Sequence, residues 1–226
     1  MNSYLERSEQ LLGKAKIKSF EKKLVLVVGV GGVGGTALEG LARSGFKKFV
    51  IIDSDKVDVS NLNRQILFTS ADVGKIKVDV AKKRLEAISK DIKCEAICEK
   101  VDVGNLEKLL KHKPDFIVDA IDFVPGKLEI YKYALKNKIP FISSLGMGNR
   151  IDPEKVTLTT LNKTENDPLA KKIRHDAKEL GLDLKSINVV FSKEDPIVKL
   201  PKPSSMIMVP STAGLLITKY VVNTTK

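Results

Sequence analysis

The sequence of 226 residues contains only two cysteines, Cys94 and Cys98. This scarcity excludes a disulfide-rich secreted scaffold and a zinc site built from four cysteines. No apolar run approaches the roughly 20 residues needed to cross a bilayer, since the longest candidate, Met206 to Val222, is interrupted by Pro210 and Lys219. The first residues also lack the apolar core of a signal peptide. We therefore expect a protein of the reducing cytoplasm, without stable insertion in a membrane.

Histidine is equally scarce, and the spacing of His112 and His175 is not that of metal ligands. Lysine is abundant, and the formal net charge is +11. Such a balance favours an acidic partner such as nucleic acid, a nucleotide or an anionic membrane surface. A merely lysine-rich composition is the alternative, because the basic residues are scattered among 28 acids.

Short apolar runs alternate with helical patterns along the first two thirds of the chain. The runs at 24–28 and 49–52 are typical of strands buried on both faces of a parallel sheet. Alternating strands and helices predict an α/β fold: a doubly wound, mostly parallel, Rossmann-like sheet with helices on both faces. Further strands are predicted at 94–101, 116–118 and 140–143, and helices at 5–18, 34–44, 75–89, 105–111 and 127–136.

The pattern changes after about Met147. Strands are predicted at 156–161 and 187–191, helices at 168–180 and 210–222, and a loop at Pro196, Pro201 and Pro203. The remaining stretch is short and has no linker composition, so we expect a C-terminal α+β extension on the same core. We interpret 1–226 as a single domain, with a core at 1–146 and the extension at 147–226.

A glycine-rich turn joins the first predicted strand to the helix that follows it. This stretch fits G-x-G-x-x-G and contains Gly29, Gly31, Gly32 and Gly34. Glycines allow a tight turn and close backbone approach, and the helix N-terminus favours an anion. Asp53, at the end of the second strand, is placed to accept hydrogen bonds from ribose hydroxyls. The core at 1–146 is therefore predicted to bind a nucleotide; glycines that serve only helix packing are the alternative.

Two kinds of nucleotide site fit this turn. The spacing between the glycines and Asp53 is that of a dinucleotide site, as in a dehydrogenase. A phosphate loop of the type G-x-x-x-x-G-K-[ST] is matched at Gly29, Gly34 and Thr36, but Gly35 stands where its lysine is required. A nucleoside triphosphate would therefore need cations from elsewhere in the chain.

Such cations and polar side chains follow along the chain. Arg64 and Lys77 are candidates to neutralise phosphates, and Asn61 and Gln65 to orient them. Asp122 follows the fourth predicted strand, and an acid at the carboxyl end of a parallel strand points into the ligand crevice. Beside phosphates it is a candidate Mg²⁺ ligand. Each residue alone is compatible with a solvated surface charge, but their joint placement favours a site that a dehydrogenase does not need.

These motifs resemble those of the ThiF/MoeB/HesA family, the adenylating enzymes related to ubiquitin-activating enzyme. The matching segments are Gly29–Gly34, Asp53-x-Asp55, Asn61-Leu-Asn-Arg-Gln65, Lys77 and Asp119-x-x-Asp122. The resemblance implies that a carboxylate attacks the α-phosphate of ATP-Mg²⁺, which gives an acyl-adenylate and pyrophosphate. Arg7 resembles the family's N-terminal arginine, which reaches across a homodimer interface to the partner's ATP. A homodimer is therefore implied.

The same resemblance implies a role for each matched residue. Asp53 would hold the ribose and Asp122 the Mg²⁺. Charge developing on the phosphates would be stabilised by Arg64, Lys77 and Arg7. The full nucleotide-binding set is Gly29, Gly31, Gly32, Gly34, Asp53, Asp55, Asn61, Gln65 and Lys77.

The cysteine content bears on the branch of the family. Many sulfur-carrier-activating members have two Cys-x-x-Cys pairs that bind zinc, and some have a cysteine on a crossover loop. This chain has neither, because no cysteine follows Cys98. Its second half resembles the TcdA branch, also called CsdL, the tRNA threonylcarbamoyladenosine dehydratases. The segments are Gly146-Met-Gly148, Arg150-Ile-Asp-Pro153, Asp167 to Arg174, Val190 to Glu194 and Ser204 to Gly214.

This branch implies a tRNA substrate whose threonine carboxylate is adenylated and then cyclised with loss of AMP. A tRNA also suits the charge of +11, because phosphate contacts dominate such binding. The candidates to contact the phosphate backbone of the tRNA lie on one predicted helix and are Lys171, Lys172, Arg174 and Lys178. The main alternative is adenylation of the C-terminal carboxylate of a ubiquitin-like sulfur carrier of the ThiS/MoaD type. A non-catalytic nucleotide-binding module is a further alternative, and a sulfur-transfer protein is a candidate partner.

Overall fold

The computed structural model describes residues 4–198, 200 and 203–225. The strands in this part of the chain are β1 (Leu24–Val28), β2 (Lys48–Ile52), β3 (Lys93–Ile97), β4 (Phe116–Asp119), β5 (Phe141–Ser144), β6 (Val156–Thr160) and β7 (Asn188–Ser192). They form one seven-stranded sheet in the order β3-β2-β1-β4-β5-β7-β6. Neighbouring strands are parallel except for β6, which pairs antiparallel with β7 at the edge. The predicted doubly wound, mostly parallel sheet is confirmed.

Helices cover both faces of the sheet. They are α1 (Glu6–Leu12), α2 (Lys14–Lys22), α3 (Gly32–Arg43), α4 (Lys77–Ile88), α5 (Leu106–Leu109), α6 (Val124–Lys136), α7 (Pro168–Glu179) and α8 (Met208–Thr224). Alternate residues of β1 enter two cores: Val25 and Val27 pack with α3, α4 and α8, and Leu26 and Val28 pack with α6 and α7. This double burial explains the continuous apolar runs of the central strands. No helix in the described ranges has the length and apolar character to span a membrane.

The first helical region differs from the prediction. A single helix over 5–18 is wrong, because the chain breaks at Gly13, whose φ is 84°, and α2 then continues to Lys22. The strand predicted over 94–101 ends at Ile97. The helix predicted from Lys127 begins three residues earlier at Val124, with a proline in its first turn, a position that proline favours. The predicted loop residue Pro201 lies outside the described residues.

The C-terminal extension adds to the same sheet, as predicted. Strand β7 pairs with β5, and α8 lies along α3. The two helices approach closely, since a Cβ atom on Gly214 would lie 2.6 Å from the carbonyl oxygen of Val33. Residues from both halves of the chain therefore surround the carboxyl ends of β1, β4 and β5.

A fully buried ion pair lies beneath those strand ends. Lys127 Nζ is 2.9 Å from Asp119 Oδ2, and neither side chain is exposed. The ammonium also donates to Ser143 Oγ and to the carbonyl of Ser144, at 3.1 and 2.6 Å. Ser143 in turn donates to Asp119 and contacts the Tyr131 hydroxyl at 2.7 Å, and burial holds the pKa of Tyr131 well above its usual value. The network ties β4, β5 and α6 together behind the loop that carries Asp122.

We expect Lys127→Met to lower the free energy of unfolding by roughly 3–5 kcal/mol, because the Asp119 carboxylate would be left buried without its cation. Urea denaturation followed by circular dichroism measures the change. The matched control is Lys136→Ala on the same helix, whose ion pair with Glu107 at 3.6 Å is largely exposed. That control should cost less than about 1 kcal/mol. Equal stabilities for the two variants would contradict the role given to the buried pair.

Candidate active site

An open cleft of about 930 Å³ lies at the carboxyl ends of the parallel strands. The direction of winding reverses here. From β1 the chain passes through β2 and β3 toward one edge of the sheet, and it then returns to β4 and β5 on the other side of β1. Ligands of doubly wound folds bind at such a reversal. Most of the residues predicted for the site line this cleft: Gly29, Gly31, Gly32, Asp53, Asp55, Asn61, Arg64, Gln65, Lys77 and Asp122. Two predicted residues, Gly34 and Arg7, do not.

The glycine turn between β1 and α3 is packed too tightly for side chains. A Cβ atom on Gly34 would lie 1.8 Å from the carbonyl oxygen of Gly29, and one on Gly29 would lie 2.8 Å from that of Ala120. Gly34 thus closes the turn instead of facing a ligand. Gly31 and Gly32 face the cleft, so the backbone at the start of α3 is open to an anion.

Asp53 is fixed against this turn. Its Oδ2 accepts a hydrogen bond from the Val30 N–H and its Oδ1 accepts one from the Asp55 N–H, both at 2.9 Å. Burial raises the pKa of this carboxyl above its usual value, and the two backbone hydrogen bonds oppose that effect. A carboxylate oxygen has a second lone pair, so both oxygens can still accept hydrogen bonds from the hydroxyls of a ribose.

Lys77 brings a buried cation to the edge of the cleft. It is the first residue of α4, and its backbone N–H donates to the Asp55 carbonyl at 3.0 Å. Its ammonium pairs with the Asp55 carboxylate at 2.8 Å, although that carboxylate is 65 % exposed. Because Asp55 is well solvated, an incoming phosphate can replace it as the partner of Lys77 at little cost.

The segment after β2 places three polar side chains along the same wall. Asn61 is held by the backbone N–H of Asp58, which donates to its Oδ1 at 3.2 Å. The Arg64 guanidinium donates through Nη1 to the Ser60 carbonyl at 2.6 Å. Gln65 is buried, and its Oε1 has no hydrogen-bond partner among the described residues. An unpaired buried polar atom costs roughly 1–3 kcal/mol.

The amide nitrogen of Gln65 suits an anionic ligand on the glycine turn. It lies 3.7 Å from the position that a Cβ of Gly31 would take. Its two N–H donors are therefore placed beside the turn, where phosphate oxygens could accept from them. The open turn, the buried amide and the cations of Arg64 and Lys77 together fit a bound polyphosphate.

Asp122 is exposed at the cleft and makes no hydrogen bond or ion pair with another described residue. The described ranges contain no group of three or more His, Cys, Asp or Glu side chains able to hold a metal ion. Mg²⁺ usually binds through one or two carboxylates together with substrate phosphates. The free carboxylate of Asp122 fits that mode of binding. The described side chains do not form a metal site that is complete without the phosphates.

Arg7 is remote from the cleft of its own chain. It is exposed on α1, and the residues just before it lie against the far end of α3, where the Tyr4 hydroxyl donates to the Ala42 carbonyl. The cleft lies at the other end of α3, whose 12 residues span about 18 Å. The structure therefore does not bring Arg7 together with the other predicted residues.

The second half of the chain supplies the opposite wall, which the motif analysis did not assign to the site. Arg150 is buried and donates to four backbone carbonyls: Gly146, Gly148, Asn166 and Glu194. Asp167 caps α7 by accepting from the N–H groups of Leu169 and Ala170, and it also accepts from Gly146. These contacts fix the loop after β5. The pair Asp167-Pro168, typical of a helix start, was the available sequence signal.

A cation–π contact at the mouth of the cleft was also missed. Lys100 Nζ lies 3.5 Å from the centroid of the Phe123 ring, and both residues line the cleft. Each follows the carboxyl end of a strand, β3 or β4, and that position was the signal that could have identified them.

Comparison with known proteins agrees with this geometry. The model of the ThiF family matches residues 5–167. The chain belongs to the ThiF family. The resemblance seen in the motifs is thus confirmed, and most of the residues in those motifs line one wall of the cleft.

Relatives within the ThiF family share nearly the whole chain. It is 36 % identical to the tRNA threonylcarbamoyladenosine dehydratase of Bacillus subtilis, over 96 % of this chain and 92 % of that protein. It is 35 % identical to the Escherichia coli enzyme of the same name, over 82 % of this chain and 71 % of that protein. The crystal structure of E. coli TcdA in complex with ATP superposes with a TM-score of 0.92 and 31 % identity, covering 97 % and 92 % of the two chains.

We expect Gly34→Ala to abolish nucleotide binding and to lower stability by several kcal/mol, because the methyl group would overlap the Gly29 carbonyl. The matched control, for stability alone because Gly31 faces the proposed phosphate site, is Gly31→Ala in the same ThiF turn, where a Cβ would meet nothing closer than the Gln65 amide at 3.7 Å. Thermal unfolding and titration with ATP measure the two effects. A Gly34→Ala variant as stable as Gly31→Ala would show that the turn is not under this constraint.

Proposed function

We propose that this chain is an ATP-dependent tRNA threonylcarbamoyladenosine dehydratase. The similarity to dehydratases from B. subtilis and E. coli along most of the chain carries this proposal. The fold shared with the ATP complex of E. coli TcdA supports ATP as the nucleotide. The cleft agrees with both, because it holds phosphate-binding groups on one wall and leaves the second half of the chain to shape the other.

The reaction begins when an oxygen of the threonine carboxylate attacks the α-phosphorus of ATP. Pyrophosphate leaves, and the carboxyl carbon becomes electrophilic as an acyl-adenylate. An atom of the neighbouring carbamoyl group then attacks that carbon and gives up its proton to solvent, the bond from the carbon to the adenylate oxygen breaks, a ring closes, and AMP leaves with that oxygen. The net change in the nucleoside is the loss of one water, and no enzyme thiol takes part.

Each lining residue has a place in this scheme. Asp53 would bind the ribose, and the backbone of the glycine turn would bind phosphate. Arg64 and Lys77 would stabilise the charge that grows on the phosphates as pyrophosphate leaves. Asp122 would hold a Mg²⁺ ion, and that ion would supply Lewis-acid polarisation of the phosphoryl group.

For the tRNA, we propose contacts along the exposed side of α7. Two of the four basic residues predicted to contact the tRNA already have partners within the chain. Arg174 donates to the Thr164 carbonyl at 2.8 Å, and Lys172 pairs with Asp176 at 3.0 Å. Lys171 and Lys178 are exposed, and their side chains make no hydrogen bond or ion pair with another described residue, so their ammonium groups remain available for phosphates. We also place the enzyme in the cytoplasm with its tRNA.

We further propose that the enzyme acts as a homodimer. Arg7 is too far from its own cleft to reach it, and it lies on a helix whose Leu11 is 81 % exposed. Apolar side chains are also exposed at Val59 and Met206, which are close in sequence to the cleft-lining residues Asn61 and Ser205. A second copy would cover these surfaces and bring in its own arginine. A sulfur-transfer partner stays an expectation from the family resemblance.

The two halves of the chain, 1–146 and 147–226, are proposed to work as a single domain. Strand β7 pairs with β5 in one sheet, and both halves line the cleft. Nucleotide-binding groups come from the first half, and the second half would contact the modified nucleoside.

We expect incubation of tRNA bearing threonylcarbamoyladenosine with this protein and Mg-ATP to remove one water from that nucleoside. Nucleoside mass spectrometry measures the loss, and AMP should form in equal amount. The Asp122→Ala variant should retain its fold and lose turnover. If the nucleoside is unchanged while the protein binds ATP, the tRNA assignment fails, and a sulfur-carrier carboxylate becomes the substrate to test.

Mixing two inactive variants tests whether Arg7 acts on the partner's site. We expect Arg7→Ala and Asp122→Ala to be inactive alone, and their co-expressed mixture to regain roughly one quarter of wild-type activity, since half of the random dimers contain one intact site. An inactive mixture, with dimers present by light scattering, would contradict a role for Arg7 across the interface.

A further inference from the structure

Three consecutive residues join the two walls of the cleft. Pro203, Ser204 and Ser205, here called the bridge, precede α8, and Pro203 and Ser205 line the cleft. The loop after β5 holds one end of the bridge, and the segment after β2 holds the other. Both attachments are made by asparagines, Asn149 and Asn63.

Asn149 grips the bridge with its backbone and with its side chain. Its N–H donates to the Ser204 carbonyl at 2.6 Å, and its Oδ1 accepts from the Ser204 N–H at 2.7 Å. Its φ of 60° places it in the left-handed region, which asparagine tolerates better than most residues. The preceding Gly148 allows this contact, because a Cβ there would lie 2.6 Å from the Pro203 Cβ.

Asn63 connects the same bridge to Arg64. Its Nδ2 donates to the Ser205 carbonyl at 2.8 Å, and its Oδ1 accepts from Arg64 Nη1 at 2.9 Å. Because the two ends of the amide are used at once, the bond to Ser205 fixes the direction in which the oxygen points. The bridge therefore determines where the Arg64 guanidinium finds its side-chain acceptor.

We propose that Asn149 is a positioning residue that acts on Arg64 through the bridge and Asn63. An arginine side chain has several rotatable bonds, and it stabilises a transition state best when its orientation is set beforehand. The relay links the wall that faces the modified nucleoside to the cation beside the phosphates. The inference rests on the proposed function for the task of Arg64, but the relay itself is a property of the fold.

Three variants separate the side-chain contact from backbone effects. Asn149→Gly keeps the left-handed backbone without strain and removes the acceptor for Ser204. Asn149→Asp keeps that acceptor. Asn166→Gly is the matched control, because Asn166 also has a positive φ, of 52°, is exposed, and makes no side-chain hydrogen bond with another described residue; glycine keeps the backbone carbonyl that accepts from Arg150.

We expect Asn149→Gly to lower kcat about 10-fold with little change in the Kd for ATP. Asn149→Asp should restore most of the rate, and Asn166→Gly should match wild type. Asn63→Ala should lower kcat as much as Asn149→Gly does. The double variant should lower it no further than either single variant, because both substitutions break the same relay. The proposal would be overturned if the loss of kcat in the double variant equalled the product of the two single losses. It would also be overturned if Asn149→Gly had the same kcat as the control.

Amide hydrogen exchange on the substrate-free protein gives a readout that does not need turnover. Asn149→Gly should speed exchange over residues 60–66, with which Asn149 makes no hydrogen bond, and Asn166→Gly should not. Unchanged exchange over 60–66 refutes the relay. If wild type fails to dehydrate the nucleoside, the proposed function fails, and this measurement still decides the relay by itself.

Discussion

The close approach of backbone atoms in the glycine turn is the constraint on which the rest of the site depends. Gly34 lies so near the Gly29 carbonyl that no side chain fits between them, and a Cβ atom on Gly29 would lie only 2.8 Å from the Ala120 carbonyl oxygen, just after β4. The turn therefore brings the start of α3 against the ends of β1 and β4. The chain winds away from β1 toward β2 on one side and toward β4 on the other, and the cleft lies at the strand ends where these two directions meet.

Polar groups at the strand ends have two different tasks. The buried Lys127–Asp119 pair is fully enclosed, so its charges neutralise each other and hold the floor of the site in place. In the Lys77–Asp55 pair the lysine is buried but the carboxylate is largely exposed, and in the part of the chain that the structure describes the Gln65 oxygen has no hydrogen-bond partner. These incompletely satisfied groups surround the place where the nucleotide phosphates are proposed to bind. A preorganised site is expected to have this arrangement, in which a rigid buried network supports polar groups that can still bind a ligand.

Local patterns predicted much of the fold because they reflect local physics. The buried run of β1 and the glycine turn were recognised correctly, since double burial and tight turning each restrict residue type. The break at Gly13 was missed, because the apolar spacing continues across it and gives no sign of the positive φ there. Ten of the residues predicted for the site line the cleft. Seven of them stand close to the end of a strand or the start of a helix, and the other three, Asn61, Arg64 and Gln65, lie on the segment after β2; the roles given to all ten stay predictions.

The sequence by itself determined the sheet, the turn and the motif residues Asp53, Arg64, Lys77 and Asp122, because parallel strands all bring their carboxyl ends to one edge. Only the tertiary structure decided how the second wall meets the first. The bonds from Asn149 and Asn63 to the bridge join residues far apart in the chain, and no periodicity records such contacts. The same holds for Arg7, whose distance from its own cleft follows from the packing of α1 at the far end of α3.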